Sequence, residues 1–290
     1  MTHRVTFKKH LEGKGVIKAP GVYDGLSALL VERAGFGAAF LSGACISFAR
    51  FGRPDMGLVS ASEVTDTVAV IRERINIPLI VDMDTGFGNA VNVARTVKTF
   101  ERAGATALQM EDQVLPKRCG HMAGKSVVST AEMVGKIHAA LDARMDEKTV
   151  LIARTDALGV HGFDDAMERA RAYKEAGADA LFIEAPKTVE QMKFIGAEFG
   201  VDIPLVHNLV EGGGSPVDGS DDIEALGYKI ALYPAALLHQ FVPAAEATLA
   251  HIKAVGNTKA LEGDMIDLSY MNDLLGAADL IDDAKKYGSE

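Results

Sequence analysis

Apolar residues fall in short unbroken runs that alternate with longer segments of helical period. Val16-Ile17-Lys18-Ala19, Ala38-Ala39-Phe40-Leu41, Leu79-Ile80-Val81-Asp82, Ala107 to Glu111, Val150 to Arg154, Ala180 to Glu184, Leu205 to Asn208 and Ile230 to Tyr233 read as strands. They run nearly continuously apolar instead of alternating, as a parallel sheet covered by helices requires. Helices are expected from Asp24 (as N-cap) to Ala34, Ser62 to Ile75, Asn89 to Ala103, Ala131 to Ala143, Asp164 to Ala176, Val189 to Phe199, Asp222 to Leu226 and Ala235 to Val255. The pairs Ala34-Gly35, Ala103-Gly104 and Ala176-Gly177 repeat one stop signal, a glycine just past a helix end. Eight β-then-α units in about 250 residues predict a (β/α)8 TIM-type barrel, the catalytic domain, over 1–255. A doubly wound sheet is the alternative, but its glycine fingerprint is missing. The segment 256–290 has no matching strand. Met271–Leu275 and Ala277–Ile281 are expected as short amphipathic helices of a C-terminal arm of the same domain, docked on its own barrel or on a neighbouring subunit.

Two connections stand out. One follows Ser42-Gly43-Ala44 and is expected to be a long loop carrying Gly52-Arg53-Pro54-Asp55. The other, from Gln113 to Thr130, has no periodic pattern, and loops of that length in a compact domain are more often functional than idle.

Composition narrows the partners. The 290 residues carry a net charge of -10, so there is no basic footprint for nucleic acid or an anionic membrane. An acidic total does not exclude an anionic substrate, because a metal and a few arginines can invert the sign inside a pocket. The apolar stretches 36–49 and 230–250 are interrupted by Gly, Ser, Pro, His or Gln, and no membrane span is expected. The Lys-rich start, 1–15, has no apolar core of a signal peptide. Two cysteines, Cys45 and Cys119, are too few for a disulfide framework, and a cytoplasmic location is expected.

In such barrels the chemistry sits at the strand C-terminal ends. There the sequence places Ser42, Asp82, Asp84, Glu111, Arg154, Glu184, Asn208, Glu211 and Tyr233. Asp82, Asp84 and Glu111 offer oxygen ligands alone, which suits Mg²⁺ or Mn²⁺ better than zinc. The bland reading is a set of solvated turn acids, and Asp55 is open to the same choice. Cys119 lies between Arg118 and Gly120-His121, and neighbouring cations activate a thiol; otherwise it is a small loop residue. Lys117 is an anion ligand or a solvated lysine, and His121 binds a carboxylate or packs the loop. Arg154, if buried, needs an anion, either substrate or Glu184. Asn208 and Glu211 bind substrate or stabilise the glycine turn after them. Cys45 and His207 read as packed residues.

Together, Asp82-Met83-Asp84-Thr85-Gly86-Phe87-Gly88, Glu111-Asp112-Gln113 and Lys117-Arg118-Cys119-Gly120-His121 resemble the isocitrate lyase and phosphoenolpyruvate mutase superfamily. The likeness continues through Ser42-Gly43, Pro54-Asp55, Ala153 to Ala157 and Leu232-Tyr233-Pro234. The cysteine element marks the lyase branch. The resemblance implies a barrel whose last helix is exchanged between subunits of a homotetramer, a dimer of helix-swapped dimers. It implies Mg²⁺ (Mn²⁺ as the alternative) on Asp82, Asp84 and Glu111, with Asp55 acting through water. It further implies 2-oxo acid binding by backbone N–H groups of Ser42, Gly43 and Ala44, with Arg154 on its carboxylate. Glu184, Asn208 and Glu211 complete the pocket, and Lys117, Cys119, Gly120 and His121 ride on a loop that closes over it. The implied activity is retro-aldol cleavage of a small anionic carboxylate, a 2-hydroxy di- or tricarboxylate, with Cys119 as general acid.

Some residues depart from the methylisocitrate lyase pattern. Phe40 stands where those lyases place tyrosine, Val210 replaces a threonine, and Met122 replaces a basic residue. Pro234 follows the pattern, whereas oxaloacetate-hydrolysing relatives carry serine. These favour a branched malate-type substrate slightly. An oxaloacetate hydrolase and a catalytically idle binding barrel are the alternatives.

Overall fold

The computed structural model describes residues 2–120 and 122–288. The strands are β1 (Ile17–Val22), β2 (Ala39–Leu41), β3 (Leu79–Asp82), β4 (Ala107–Glu111), β5 (Val150–Thr155), β6 (Ala180–Ile183), β7 (Val206–Asn208) and β8 (Ile230–Tyr233). All pair in parallel in the order β6-β5-β4-β3-β2-β1-β8-β7. A parallel bridge between Leu181 and Leu205 brings β7 against β6, so the sheet is a nearly closed (β/α)8 barrel, as the apolar runs predict.

The helices are α1 (His3–Glu12), α2 (Gly25–Arg33), α3 (Gly43–Ile46), α4 (Ala61–Arg72), α5 (Ala90–Ala103), α6 (Thr130–Ala143), α7 (Phe163–Glu175), α8 (Val189–Phe199), α9 (Ser220–Ala225), α10 (Ala236–Val255), α11 (Leu268–Leu275) and α12 (Ala277–Lys286). Local chemistry sets their ends. Asp24, Ser60 and Asn89 cap α2, α4 and α5 through their side-chain oxygens. Gly104 ends α5 at φ 109°, where a Cβ would be strained.

Neighbouring strand residues point to opposite layers. Leu79 and Val81 pack outward against the helices, while Ile80 points into the barrel with Phe40, Ile152, Phe182 and Leu232. Phe7 of α1 joins this inner layer and is fully buried. The helix α1 was not expected: its Lys- and His-rich sequence offers one deeply buried anchor instead of an apolar stripe. It is tied further by the His3 ring to Thr106 Oγ1 (2.8 Å), an oxygen that also accepts from the Leu79 N–H (2.9 Å).

Two expectations shift. After β2 the chain does not form a loop at once: α3 runs into a π-helical turn, Ser47–Phe51, which Gly52 ends at φ 59°. Ser42 starts it by accepting from the Cys45 N–H (3.3 Å). The chain also divides into two compact units, Met1–Leu238 and His239–Glu290, so the division falls inside α10 and not at 255/256. Leu238 is the buried residue of α10, and the helix beyond it displays Phe241, Val242 and Leu249. The second unit holds the rest of α10, α11 and α12. Among the described residues no helix is long and apolar enough to cross a membrane.

Burial beside Arg72 and Arg4 pulls the His3 imidazole down to about 4. The unfolded chain therefore binds a proton before the folded one, and stability falls as pH drops from about 6.5 to 4. His3→Gln removes that titration. The expected result is a flatter fall of the urea midpoint across this window; an unchanged pH profile would dismiss His3 as an acid-sensitive tie.

Candidate active site

Asp82 ends β3, and Asp84 follows at φ 47°, a left-handed conformation that aspartate tolerates better than most residues. It is held by Glu111 N–H donating to the Asp84 carbonyl (2.8 Å) and by Asp84 N–H donating to Asp82 Oδ1 (3.2 Å). The ends of β3 and β4 are thereby laced together. Gly43 lies over the same carboxylates: a Cβ there would meet Asp82 Oδ2 at 3.2 Å and Asp84 Oδ1 at 3.4 Å. The Gly43 N–H donates to Asp82 Oδ2 (3.4 Å). Ser42 is committed to the fold, because its N–H donates to the Val22 carbonyl and its hydroxyl caps α3. Ala44 sits half-buried in the first turn of α3.

Lys117 is buried, with Nζ 2.7 Å from Asp55 Oδ1 and 2.8 Å from Asp84 Oδ1. Burial opposes its charge, but Asp84, Glu111, Asp82 and Asp55 override this and hold the ammonium well above its ordinary value. Burial pushes the Asp84 carboxyl up to about 7 against the pull of Lys117, with Asp82 and Asp55 adding to the rise. Burial also raises Glu111 well above the carboxylate range, opposed by Arg154. The acids thus outnumber the cations that face them.

Arg154, at the end of β5, is buried and reaches three carboxylates. Its Nε lies 2.9 Å from Asp156 Oδ2 and 3.3 Å from Glu111 Oε2, and Nη1 lies 3.6 Å from Glu184 Oε2. Its guanidinium stacks over Phe182 at 5.1 Å. Asn208 Nδ2 donates to Glu184 Oε2 (3.1 Å), joining the ends of β6 and β7. Glu211 is exposed on the loop after β7. His121 lies outside the described residues.

The loop from Asp112 to Ser129 folds down onto these strand ends. Cys119 is half-buried, and its N–H donates to the Asp55 carbonyl (3.2 Å). At Gly120 there is no room for a side chain: a Cβ would collide with Arg154 Nη2 and come within 2.9 Å of Glu184 Cγ. Gln113 grips the loop by donating to the Arg118 carbonyl (2.8 Å) and accepting from the Arg118 N–H (3.0 Å).

Three participants were not singled out from sequence: Asp112, Asp156 and Lys125. Asp112 is fully buried and accepts from Thr155 Oγ1 (2.7 Å), Asp156 N–H (2.9 Å), Tyr173 Oη (2.8 Å) and Arg169 Nη1 (3.2 Å). Asp156 is held down to about 2, burial being overcome by Arg154 and Lys125. Asp112 and Asp156 carried a signal, their places beside Glu111 and Arg154 in Glu111-Asp112 and Arg154-Thr155-Asp156, whereas Lys125 carried none.

The donor set fits a hard divalent cation. It is oxygen-only, and Glu111 Oε1 is buried with no hydrogen-bond partner among the described residues. Among the described residues no three acids, histidines or cysteines already converge at ligand spacing. Mg²⁺ keeps several waters and needs few direct protein ligands, so one or two of these carboxylates suffice.

The sequence from 7 to 253 matches the phosphoenolpyruvate phosphomutase family model. The chain belongs to the phosphoenolpyruvate mutase/isocitrate lyase superfamily. It is 42% identical over 278 residues to 2,3-dimethylmalate lyase of Eubacterium barkeri, covering 95% of each chain. It is 42% identical over 275 residues to 2-methylisocitrate lyase of Aeropyrum pernix, covering 95% of this chain and 88% of that one. Oxaloacetate acetylhydrolase in complex with 3,3-difluorooxalacetate superposes with a TM-score of 0.93 at 34% identity, over 100% of this chain and 98% of that one. The chain is accordingly an enzyme, and the idle barrel is set aside.

Closure of the Cys119 loop depends on the bare backbone of Gly120. Gly120→Ala overpacks the closed contact, which costs about 1–3 kcal/mol and exposes the loop about tenfold more often. Tryptic cleavage after Arg118 should accelerate by that factor at an unchanged thermal midpoint. Cleavage at the wild-type rate would show that the loop does not need this contact.

Proposed function

We propose that this chain is a Mg²⁺-dependent carbon–carbon lyase that cleaves a 2-hydroxy dicarboxylate of the 2-alkylmalate type, or a 2-methylisocitrate-type tricarboxylate. The products are a 2-oxo acid and a second carboxylic acid. The observation that carries this reading is the docking of the Cys119 loop, through Gly120, onto Arg154 and Glu184 above the acidic strand ends. Similarity to named dimethylmalate and methylisocitrate lyases supports it.

Asp82, Asp84 and Glu111 would hold Mg²⁺ (or Mn²⁺), with Asp55 acting through water; when bound, the ion lowers the pKa of the substrate hydroxyl. The chain's own groups do the rest. The Gly43 and Ala44 backbone at the start of α3 and the Arg154 guanidinium orient the 2-oxo acid half. Once the C2 hydroxyl has given its proton to a basic group or a water in the site, its oxygen forms the C2 carbonyl, the C2–C3 bond breaks and that bond's electron pair stays on C3. The departing carbanion is stabilised by its own carboxylate and by nearby cationic donors, Lys117 among them. Glu184 and Asn208 line the pocket, where Asn208 Oδ1 is a buried acceptor with no hydrogen-bond partner among the described residues. Cys119 delivers its Sγ proton to C3 as general acid. Glu211 and His121 are proposed at the pocket mouth and on the closing loop. A cytoplasmic setting would keep Cys119 reduced.

Two variants separate the halves of the site. Cys119→Ser should leave Mg²⁺ affinity intact and lower turnover by about 10²–10⁴-fold, the contribution of a positioned proton donor. Asp82→Ala should abolish Mg²⁺-dependent turnover and weaken Mg²⁺ binding in calorimetry. Near-wild-type turnover of the first would remove Cys119 from the chemistry, and unchanged Mg²⁺ affinity in the second would remove Asp82 from the metal site. The second reading is an oxaloacetate hydrolase, since oxaloacetate acetylhydrolase superposes as well as 2,3-dimethylmalate lyase does, each with a TM-score of 0.93. Release of oxalate and acetate from oxaloacetate, with no cleavage of 2-alkylmalates or methylisocitrate, would decide for it.

We also propose a homotetramer, a dimer of helix-swapped dimers. An apolar groove of about 520 Å³ on the first unit, lined by Pro20, Leu30, Val31, Phe36, Tyr233 and Leu237, supports it. So does the apolar face of α10, with Phe241, Val242 and Leu249 exposed. Sedimentation equilibrium should give four chains per particle, and Phe241→Asp should lower that number; a monomer in the unmutated protein would end the proposal.

A further inference from the structure

Lys125 lies at the far end of the Cys119 loop, and its side chain is 6% exposed although the loop is superficial. A lysine that deep requires partners for its charge. Its ammonium has two. It meets Asp156 Oδ1 at 2.8 Å and donates to the Gly120 carbonyl in a short contact. The lysine stem passes Gly159 of the turn after β5, where a Cβ would stand 3.6 Å from Nζ. The same Asp156 carboxylate grips Arg154, with Oδ2 to Nε at 2.9 Å and Oδ1 to Nη2 at 3.2 Å. Asp156 is itself fixed by its N–H donating to Asp112 Oδ1 (2.9 Å). A continuous path therefore runs from the rigid ends of β4 and β5, through Asp156, to both the carboxylate-binding arginine and the backbone next to Cys119.

We propose that Lys125 is a positioning residue, a latch that clamps the Gly120 carbonyl to Asp156 and so couples the carboxylate-binding Arg154 to the placement of Cys119. The role of Cys119 and Arg154 rests on the lyase reading, but the latch is a statement about the loop alone and is tested without turnover. The Gln113 grip holds the loop at Arg118, before the thiol, and Lys125 holds it at Gly120, after the thiol. Cys119 is thus pinned on both sides. Loss of Lys125 leaves the first grip and frees the second. The Asp156 carboxylate then has Arg154 as its remaining side-chain cation, and the Gly120 carbonyl turns to water.

The test uses the full-length protein and iodoacetamide, with alkylation of Cys119 followed by peptide mass spectrometry. Cys45, fully buried, serves as the internal control. Rates are compared at their high-pH plateau, so that a change in thiol ionisation does not count. Lys125→Met is expected to raise the Cys119 rate about tenfold, the equivalent of one charge-assisted hydrogen bond. Cys45 protection should stay as in the wild type, which tells a local release of the loop from general unfolding. Lys125→Arg, which keeps a cationic donor, should restore most of the protection, a recovery that a merely space-filling role would not show. Lys125→Gln replaces Lys125→Met if the latter does not fold, with the same rise expected. Wild-type alkylation in the Met or Gln variant, or a rise in the Arg variant as large as in Met, would overturn the latch. Where a cleaved substrate is found, a fall in kcat larger than the change in KM is the matching kinetic sign. Absence of turnover on every substrate would count against the lyase reading and leave the alkylation result standing.

Discussion

Carboxylates gathered at the end of an apolar barrel repel one another in a medium that screens them poorly, and the architecture of this site answers that repulsion. Asp55, Asp82, Asp84, Glu111, Asp156 and Glu184 come together with Lys117, Lys125 and Arg154 among them. Each cation is shared. Lys117 bridges the loop after α3 to β3, and Arg154 bridges β4, β5 and β6. Removing one cation from such a set costs more than an ordinary salt bridge, because it leaves buried anions uncompensated. The remaining excess of negative charge is what a divalent ion is suited to neutralise.

The same charges hold the Cys119 loop onto the strand ends. Precision here comes from backbone contacts: the Cys119 N–H on Asp55, the Gly120 carbonyl under Lys125, and both main-chain groups of Arg118 on Gln113. Backbone anchoring also explains why small residues recur, since Gly43 and Gly120 stand where a Cβ would crowd carboxylates or a guanidinium.

Most of the barrel was legible in the residues because strand and helix signals agreed. Leu79 to Asp82 and Ala107 to Glu111 are strands with the expected bounds, and Asn89 and Gly104 bracket their helix. The failures share a cause. α1 has one buried anchor, Phe7, and no periodic stripe to announce it. The π-helical turn after α3 precedes Gly52-Arg53-Pro54, whose turn chemistry masks the helical residues before it. At the site, acids at strand ends and the cysteine motif could be read directly. The contacts of Asp112 and Lys125 could not, because their side-chain partners lie 31 to 61 residues away and become neighbours through the fold alone. Glu211 and Ser42 show the converse: position at a strand end suggested substrate contact, while one is exposed and the other spends its polar groups on α3 and β1.

The barrel seam carries a last consequence. Between β6 and β7 the backbone pairing is thin, a bridge at Leu181 and Leu205, and at the catalytic end the two strands are sutured by the Asn208 amide on the Glu184 carboxylate. The side chains expected to read the substrate are therefore also stitches in the wall. Diversification of specificity at these two positions trades against barrel integrity, so new substrates are more readily accommodated by changing apolar residues of the inner layer such as Phe40 than by replacing the polar pair. A lineage exploring branched acids would be expected to keep the suture and vary the lining.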